Sequence, residues 1–500
     1  HAREGFEKML GAPLGNAGFE EEQACRRVEE LMEPATHLKR IQDPQMEFTL
    51  LKYCVCTVMV HLCRLLQPHV VQQATQDHSA VVKQHLERIM TFGANEVNIG
   101  AHEWKWAKLP IRSGGLGLQD LILTGEAAYM AAMGEVARKA TRYHQDTDNT
   151  ETKKVRSWFN TDKTFERALK TCAEKVNGDA PEPVCPSLPA LETMPTQAKL
   201  SEKLYEERQK TLLRAELPHR ADKAWERSRT GNGAGSWANC IAMVDNLTCK
   251  GPVFKIMLHV YMGLIISTAE HIEECFHKDC KYEEDESRAF AKGRHHCTLC
   301  EYGRQTVIHD KVRDVVHELM GFGSKLSEQP GLLQNGGEER PADVWVPSSG
   351  STTDKPMAFD IGITDPTSKT SLEAGSDRES LIAAKKFHER KMSLFEQQVR
   401  QTERPIDFDK VPLIFESTGA MGKETQKWWE SVLKMERKRC EERRENPSRQ
   451  YQGLEHTWSA DRFASYWLQR ISMAHARAQA ETIEMAICMS QPWIFPGRNA

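Results

Sequence analysis

The stretch Met357-Ala-Phe-Asp-Ile-Gly-Ile363 restricts the fold of this chain more than any other. It is rich in residues that favour a strand, yet it carries Asp360 in its centre. A carboxylate in such apolar surroundings is costly unless a cation compensates it. A second short β-rich run, Val344-Trp-Val346, precedes it across the turn-forming residues 348–351, and residues 411–415 read as a third strand. The three strands predict a small sheet with helices around it.

Acids recur at the ends of these strands. Asp343 heads the first, and Glu416 closes the third before a tight turn. Between the second and third strands, residues 381–401 read as a helix carrying Lys385, Lys386 and Lys391. Carboxylates from neighbouring strands suit the hard-oxygen preference of Mg2+, and an ammonium beside them can orient or polarise a water. Asp343, Asp360, Lys391 and Glu416 therefore form a candidate constellation for metal-assisted phosphodiester hydrolysis, with Asp343 and Asp360 on the magnesium. The same residues also fit plain roles: Asp343 capping a turn, Asp360 pairing with an arginine, Glu416 lying on the surface.

Five hundred residues exceed what one core usually organises, so several domains are expected. Phe48, Leu51, Cys54, Cys56, Met59, Leu62, Cys63 and Leu66 recur at helical spacing, which predicts two or three packed helices before about residue 90. The glycine-rich turn at 109–118 leads into an alanine-rich helix over 121–137. No strand precedes the turn, and no Lys-Ser or Lys-Thr follows it, so it lacks the context of a phosphate loop. Residues 144–153 are polar and 178–197 proline-rich, as in linkers. Residues 198–229 read as a charged helix, 253–269 as a buried one, and 425–444 and 461–489 as further helices. No apolar run approaches the roughly 18 to 20 residues of a bilayer span, so no membrane association is expected.

Cysteine and histidine concentrate between residues 275 and 309. Cys297-Thr-Leu-Cys300, followed by His309 and His317, has the spacing of a small structural zinc site, in which a knuckle turn brings two thiolates to one tetrahedral ion. The two histidines are eight residues apart, some 12 Å along a helix. Asp314, His295, His296, Cys280 and Cys275 therefore remain alternatives for the fourth ligand. The other cysteines are scattered, several inside apolar helices, which favours a reducing compartment, nuclear or cytoplasmic.

The formal charge is −4, from 67 basic and 71 acidic residues. Any phosphate binding must then come from local patches, for which Arg340, Lys385 and Lys386 and the stretch 434–449 are candidates.

Several segments taken together resemble the distal half of non-LTR retrotransposon reverse transcriptase proteins. Lys8-Met-Leu-Gly-Ala-Pro-Leu-Gly15, Asp43-Pro-Gln45 with Leu50-Leu-Lys52 and Cys63-Arg-Leu-Leu66, and Leu109-Pro with Gly114-Gly-Leu-Gly-Leu118 and Ala127-Ala-Tyr129 are similar to the end of the polymerase and its helical thumb. A zinc knuckle followed by Arg340-Pro-Ala-Asp343 and Asp360 resembles the layout of elements with a restriction-like endonuclease of the PD-(D/E)xK class. The resemblance implies that Asp343, Asp360 and Lys391 are the catalytic set, with Lys385 and Lys386 as competitors, and that Phe395 takes the place of a frequent Tyr. Asp314 falls near the family's fourth zinc ligand.

The expectation is an α+β multi-domain chain: a helical thumb-like region over 1–140, a linker over 141–200, a helical connector over 201–290, a zinc knuckle over 291–325, and a small α/β restriction-endonuclease-like domain with C-terminal helices over 326–500. The Tyr-x-Asp-Asp signature of a polymerase palm is absent, and the opening at His1 reads as the interior of a longer chain. The resemblance implies nicking of a DNA target, with Mg2+ and Zn2+ as cofactors and the element's RNA as a partner. The alternative is a catalytically inactive nucleic-acid-binding or scaffold protein of the same ancestry.

Overall fold

The structure, a computed structural model, describes residues 7–9, 12–144, 163–177, 193–269, 288–295, 299–300, 305–321, 325–326, 342–348, 355–400, 407–445 and 462–490, together with Cys275, Cys280 and Thr353. Most of these residues are helical, and a small mixed sheet lies among the helices, so the chain is α+β.

A hairpin of β1 (Glu7–Met9) and β2 (Ala12–Leu14) precedes α1 (Ala17–His37), α2 (Pro44–Leu50), α3 (Val60–Leu65), α4 (Pro68–Met90), α5 (Ala101–Ala107) and α6 (Leu121–His144). The starts of these helices are written locally. Asn16 accepts a hydrogen bond from the backbone N–H of Phe19, and Asp43 caps α2 just before Pro44. In the glycine-rich turn, Gly114 takes a positive φ of 86°, and a Cβ on Gly115 would lie 2.0 Å from the Leu109 carbonyl oxygen. Its glycines serve close backbone packing.

The middle of the chain holds α7 (Lys163–Asn177), α8 (Gln197–Arg214), α9 (Arg220–Arg229) and α10 (Gly251–Met262). Helix α7 corrects the reading of 141–200 as linker, because Leu169, Cys172 and Val176 form a buried stripe that packs with Tyr129, Leu200 and Leu204. Of the stretches that carried that reading, 144–153 and 178–197, residues 145–153 and 178–192 lie outside the described residues. The charged segment 198–229 is two helices, divided before Pro218, where proline disfavours continued helix. Gly263, at φ 71°, ends the apolar helix earlier than its composition predicts.

Residues Pro44–Leu65 correct the expectation that no run is long and apolar enough to cross a membrane. By length and hydropathy this one is, with a mean hydropathy of 1.4 over its apolar window. Here Phe48, Leu51, Val55 and Cys56 are buried in the protein core, and the polar groups along the run find protein partners. Gln45 Nε2 donates to the Leu247 carbonyl at 2.7 Å, and Lys52 Nζ donates to the Ala238 carbonyl and to Asn239. That is how an interior helix satisfies its polar side chains.

The distal region comprises α11 (Gln305–Met320), β3 (Lys325–Leu326), β4 (Val344–Val346), β5 (Met357–Thr364), α12 (Lys369–Glu373), α13 (Ile382–Arg400), β6 (Asp409–Glu416), α14 (Lys423–Glu445) and α15 (Phe463–Ser490). The sheet runs β3-β4-β5-β6, antiparallel except for the parallel β5–β6 pair, which needs the crossover that α13 supplies. Gly362 lets α13 approach closely, since a Cβ there would lie 2.5 Å from the Phe387 ring. On the other face Phe359 meets Trp428 of α14 edge-on, with ring centroids 5.5 Å apart. The largest apolar cluster joins Phe48 and Leu86 to Trp237 and Phe254, to Val312 and Val316, to Phe359 and Phe415, and to Ile471 and Ile487. Helices and sheet therefore share one continuous interior.

Candidate active site and metal centre

Asp343 and Asp360 come together around the backbone of Ile361. Asp343 Oδ2 accepts from the Ile361 N–H at 2.7 Å, and Lys391 Nζ donates to the Ile361 carbonyl at 3.2 Å while pairing with Asp360 Oδ1. Of the three lysines proposed on α13, Lys391 reaches the acids. Lys385 and Lys386 are exposed, and Lys386 pairs with Glu389.

A fourth charged group joins from β6. Lys410 Nζ lies 3.1 Å from Asp360 Oδ2 and 4.9 Å from the centre of the Phe395 ring, and its side chain is only 6% exposed. Strand alternation puts it here: Lys410 is in register with Ala358, and Ala358 and Asp360 share a face. Sequence reading missed it because parallel register is invisible in the sequence.

His309, on the first turns of α11, completes the cluster. Its Nε2 lies 3.0 Å from Asp343 Oδ2 and its Nδ1 3.1 Å from Asp310 Oδ1. Both ring nitrogens lie within hydrogen-bond distance of carboxylate oxygens. Burial works to lower the His309 pKa, but the hydrogen bonds and charges of Asp343 and Asp310 outweigh it and raise the value. Burial works to raise the Asp343 pKa. The His309 hydrogen bond and charge, the Ile361 N–H and the Lys391 charge overcome that and hold the carboxyl below its usual value.

Glu416 stands apart from this group. It is in register with Thr364, four residues beyond Asp360, a separation of about 13 Å along the strand. Its carboxylate is buried, with Oε1 accepting from the Ala384 N–H at 3.2 Å. Burial pushes its pKa up to about 7, against the pull of Ser228 and the Ala384 N–H and with a further push from Asp365. The convergence of all three acids is thus corrected to a pair, because the last acid follows β6 too far past the register of the other two. Arg340 lies outside the described residues.

The Cys/His centre keeps Cys300 from the expected set and takes its other donors from three of the alternatives, Cys275, Cys280 and His295. Cys275, Cys280, His295 and Cys300 offer ligand atoms all within 4.8 Å of one another. Cys275 and Cys300 sulfurs are 3.6 Å apart, and Cys280 Sγ is 3.5 Å from His295 Nε2. Zinc–sulfur bonds of about 2.3 Å in a tetrahedron give sulfur–sulfur edges of about 3.8 Å, so the donor set fits a zinc ion. The Cys300 N–H donates to the His295 carbonyl at 2.9 Å, which ties the backbones of these two donors together. His309 is corrected as a ligand because it is engaged by Asp343. His317 lies two helical turns further along α11 and is not among the four grouped residues. Cys297 and His296 lie outside the described residues. The usable signals were His295-x4-Cys300 and Cys275-x4-Cys280, two pairs of equal spacing.

No protein-family profile matches the chain, and a search of curated proteins finds no match.

Proposed function

We propose that the chain is a Mg2+-dependent DNA endonuclease module, cutting one strand of its target, from a retrotransposon-type reverse transcriptase protein, with a structural zinc in the Cys275, Cys280, His295 and Cys300 centre. The observation that supports it is the Asp343–Asp360 pair held around Ile361 with Lys391 beside it. Segments similar to a polymerase thumb support the origin, and the element's RNA is then a second partner beside the DNA.

A divalent ion at the two carboxylates supplies an activated water and polarises the phosphate. Asp343 and Asp360 provide hard oxygens for it. Lys391, the more exposed of the two lysines, orients the nucleophile, while Lys410 stays buried behind Asp360. The exposed side of α13, with Lys385 and Lys386, offers cations to the phosphate backbone, contacts that position DNA without reading its sequence.

Nicking of supercoiled plasmid in Mg2+ tests the proposal. The full chain should nick, and Asp360→Asn and Asp343→Asn should reduce the rate at least a hundredfold while unfolding cooperatively. One observation favours a second reading, an inactive nucleic-acid-binding protein: Lys391 and Lys410 already pair with Asp360, and His309 already engages Asp343. Salt-dependent DNA binding without nicking in either Mg2+ or Mn2+ would establish that reading in place of the first.

A further inference from the structure

His309 connects two parts of the molecule that the sequence assigns to separate tasks. Helix α11 begins five residues after Cys300, and His309 lies on its first turns. From there the imidazole reaches across to Asp343, just ahead of β4. The side chain is held at both ends: Asp310 receives Nδ1, and Arg313 in turn pairs with Asp310 at 3.0 Å. Asp343 is fixed equally closely, for among the described residues both hydrogen bonds of its side chain fall on Oδ2, one from His309 and one from the Ile361 N–H.

We propose that His309 is a positioning residue for the carboxylate pair: it pins Asp343 Oδ2 and so leaves Oδ1 as the oxygen offered to a divalent ion. This rests on the nuclease reading above. A carboxylate whose orientation is set by a second side chain binds an ion without first losing rotamer freedom, and removing such outer partners costs about 10- to 100-fold in metal affinity. The Asp310–Arg313 pair belongs to the same device, since it fixes the tilt of the ring that holds Asp343.

Mn2+ is the probe, its binding to the full chain followed by the paramagnetic signal of the free ion. Wild type should show a site that the Asp343→Asn/Asp360→Asn double variant lacks. His309→Ala should raise the half-saturating Mn2+ concentration about tenfold or more, with zinc content unchanged. His309→Gln, whose amide can still donate to Oδ2, should recover most of the affinity, a rescue that a merely space-filling role does not give. Three results overturn the inference: His309→Ala binding Mn2+ as wild type does, His309→Ala losing its zinc, or His309→Gln being as weak as alanine. If instead the double aspartate variant binds Mn2+ as tightly as wild type, the nuclease reading itself falls. That arm leaves His309 untouched, so the two failures are told apart.

Discussion

Lys410 and Asp360 form the most enclosed ion pair of the acid cluster, Nζ to Oδ2 at 3.1 Å, with Lys391 approaching the other oxygen of the same carboxylate from a more open position. Removing one member of a buried pair leaves an uncompensated charge, which costs about 3 to 5 kcal/mol when no other partner exists. Here the second lysine remains, so the cost shrinks. Lys410→Met should therefore destabilise the chain by about 2 kcal/mol and Lys391→Met by about 1 kcal/mol or less, scaled down from the same pair energy. Urea midpoints measure this, and a larger loss from Lys391→Met would contradict the order of burial.

Gly362 tests whether helix position and site geometry are linked. An added methyl at this position meets the Phe387 ring and Ile414, at 2.5 and 2.7 Å from the new carbon. Overpacking of this kind costs about 1 to 3 kcal/mol. It also pushes α13 outward, and Lys391 rides on α13. Gly362→Ala should thus lower plasmid nicking more than its loss of stability accounts for, with DNA binding nearly intact. Nicking at the wild-type rate would show that Lys391 tolerates the shift.

What could be read without coordinates follows the range of the interactions involved. The strands around Trp345, Asp360 and Leu413 were legible because burial forces β-branched and aromatic residues together at short range. The helices at 382–400, 423–445 and 463–490 were legible from their periodicity. The metal centre was not legible in full, because Cys275 and Cys280 meet His295 and Cys300 only after the chain has turned back on itself. His309 looked like a ligand for the same reason that it is not one: a histidine at the start of a helix near cysteines is also near whatever else that helix packs against. Lys410 depends on the β5–β6 register, and Glu416 on how far β6 runs past it.

The donor set of the metal centre makes a sharp stoichiometric claim. The purified chain should carry one zinc ion, released by Cys300→Ala or His295→Ala and retained by His317→Ala. Because structural zinc binding contributes folding free energy outright, the cysteine variant should unfold at lower temperature and should melt as the wild type does after chelation. Colorimetric zinc assay together with a thermal scan reads both. Zinc lost from His317→Ala but kept by His295→Ala would restore the ligand set expected from spacing.

Glu416 carries a prediction in pH. Its ordinary value is 4.5, and burial raises it to about 7 in the folded chain. Between these values the unfolded chain has released the proton while the folded one still holds it, so stability falls as pH rises, by about 1.4 kcal/mol per pH unit at most. The contribution is fully present below pH 4.5 and lost once pH has risen through about 7. Glu416→Gln keeps a neutral side chain of the same shape, able to accept from the Ala384 N–H, and lacks this loss. The variant should therefore gain on wild type between pH 5 and pH 8 by an amount on the order of a few kcal/mol, then run parallel at higher pH. Urea unfolding at a series of pH values measures the gap. A constant gap would mean that Glu416 stays ionised in the folded chain, and a carboxylate ionised in that enclosure would require a cation, and among the described residues no cationic side chain is seen to pair with it.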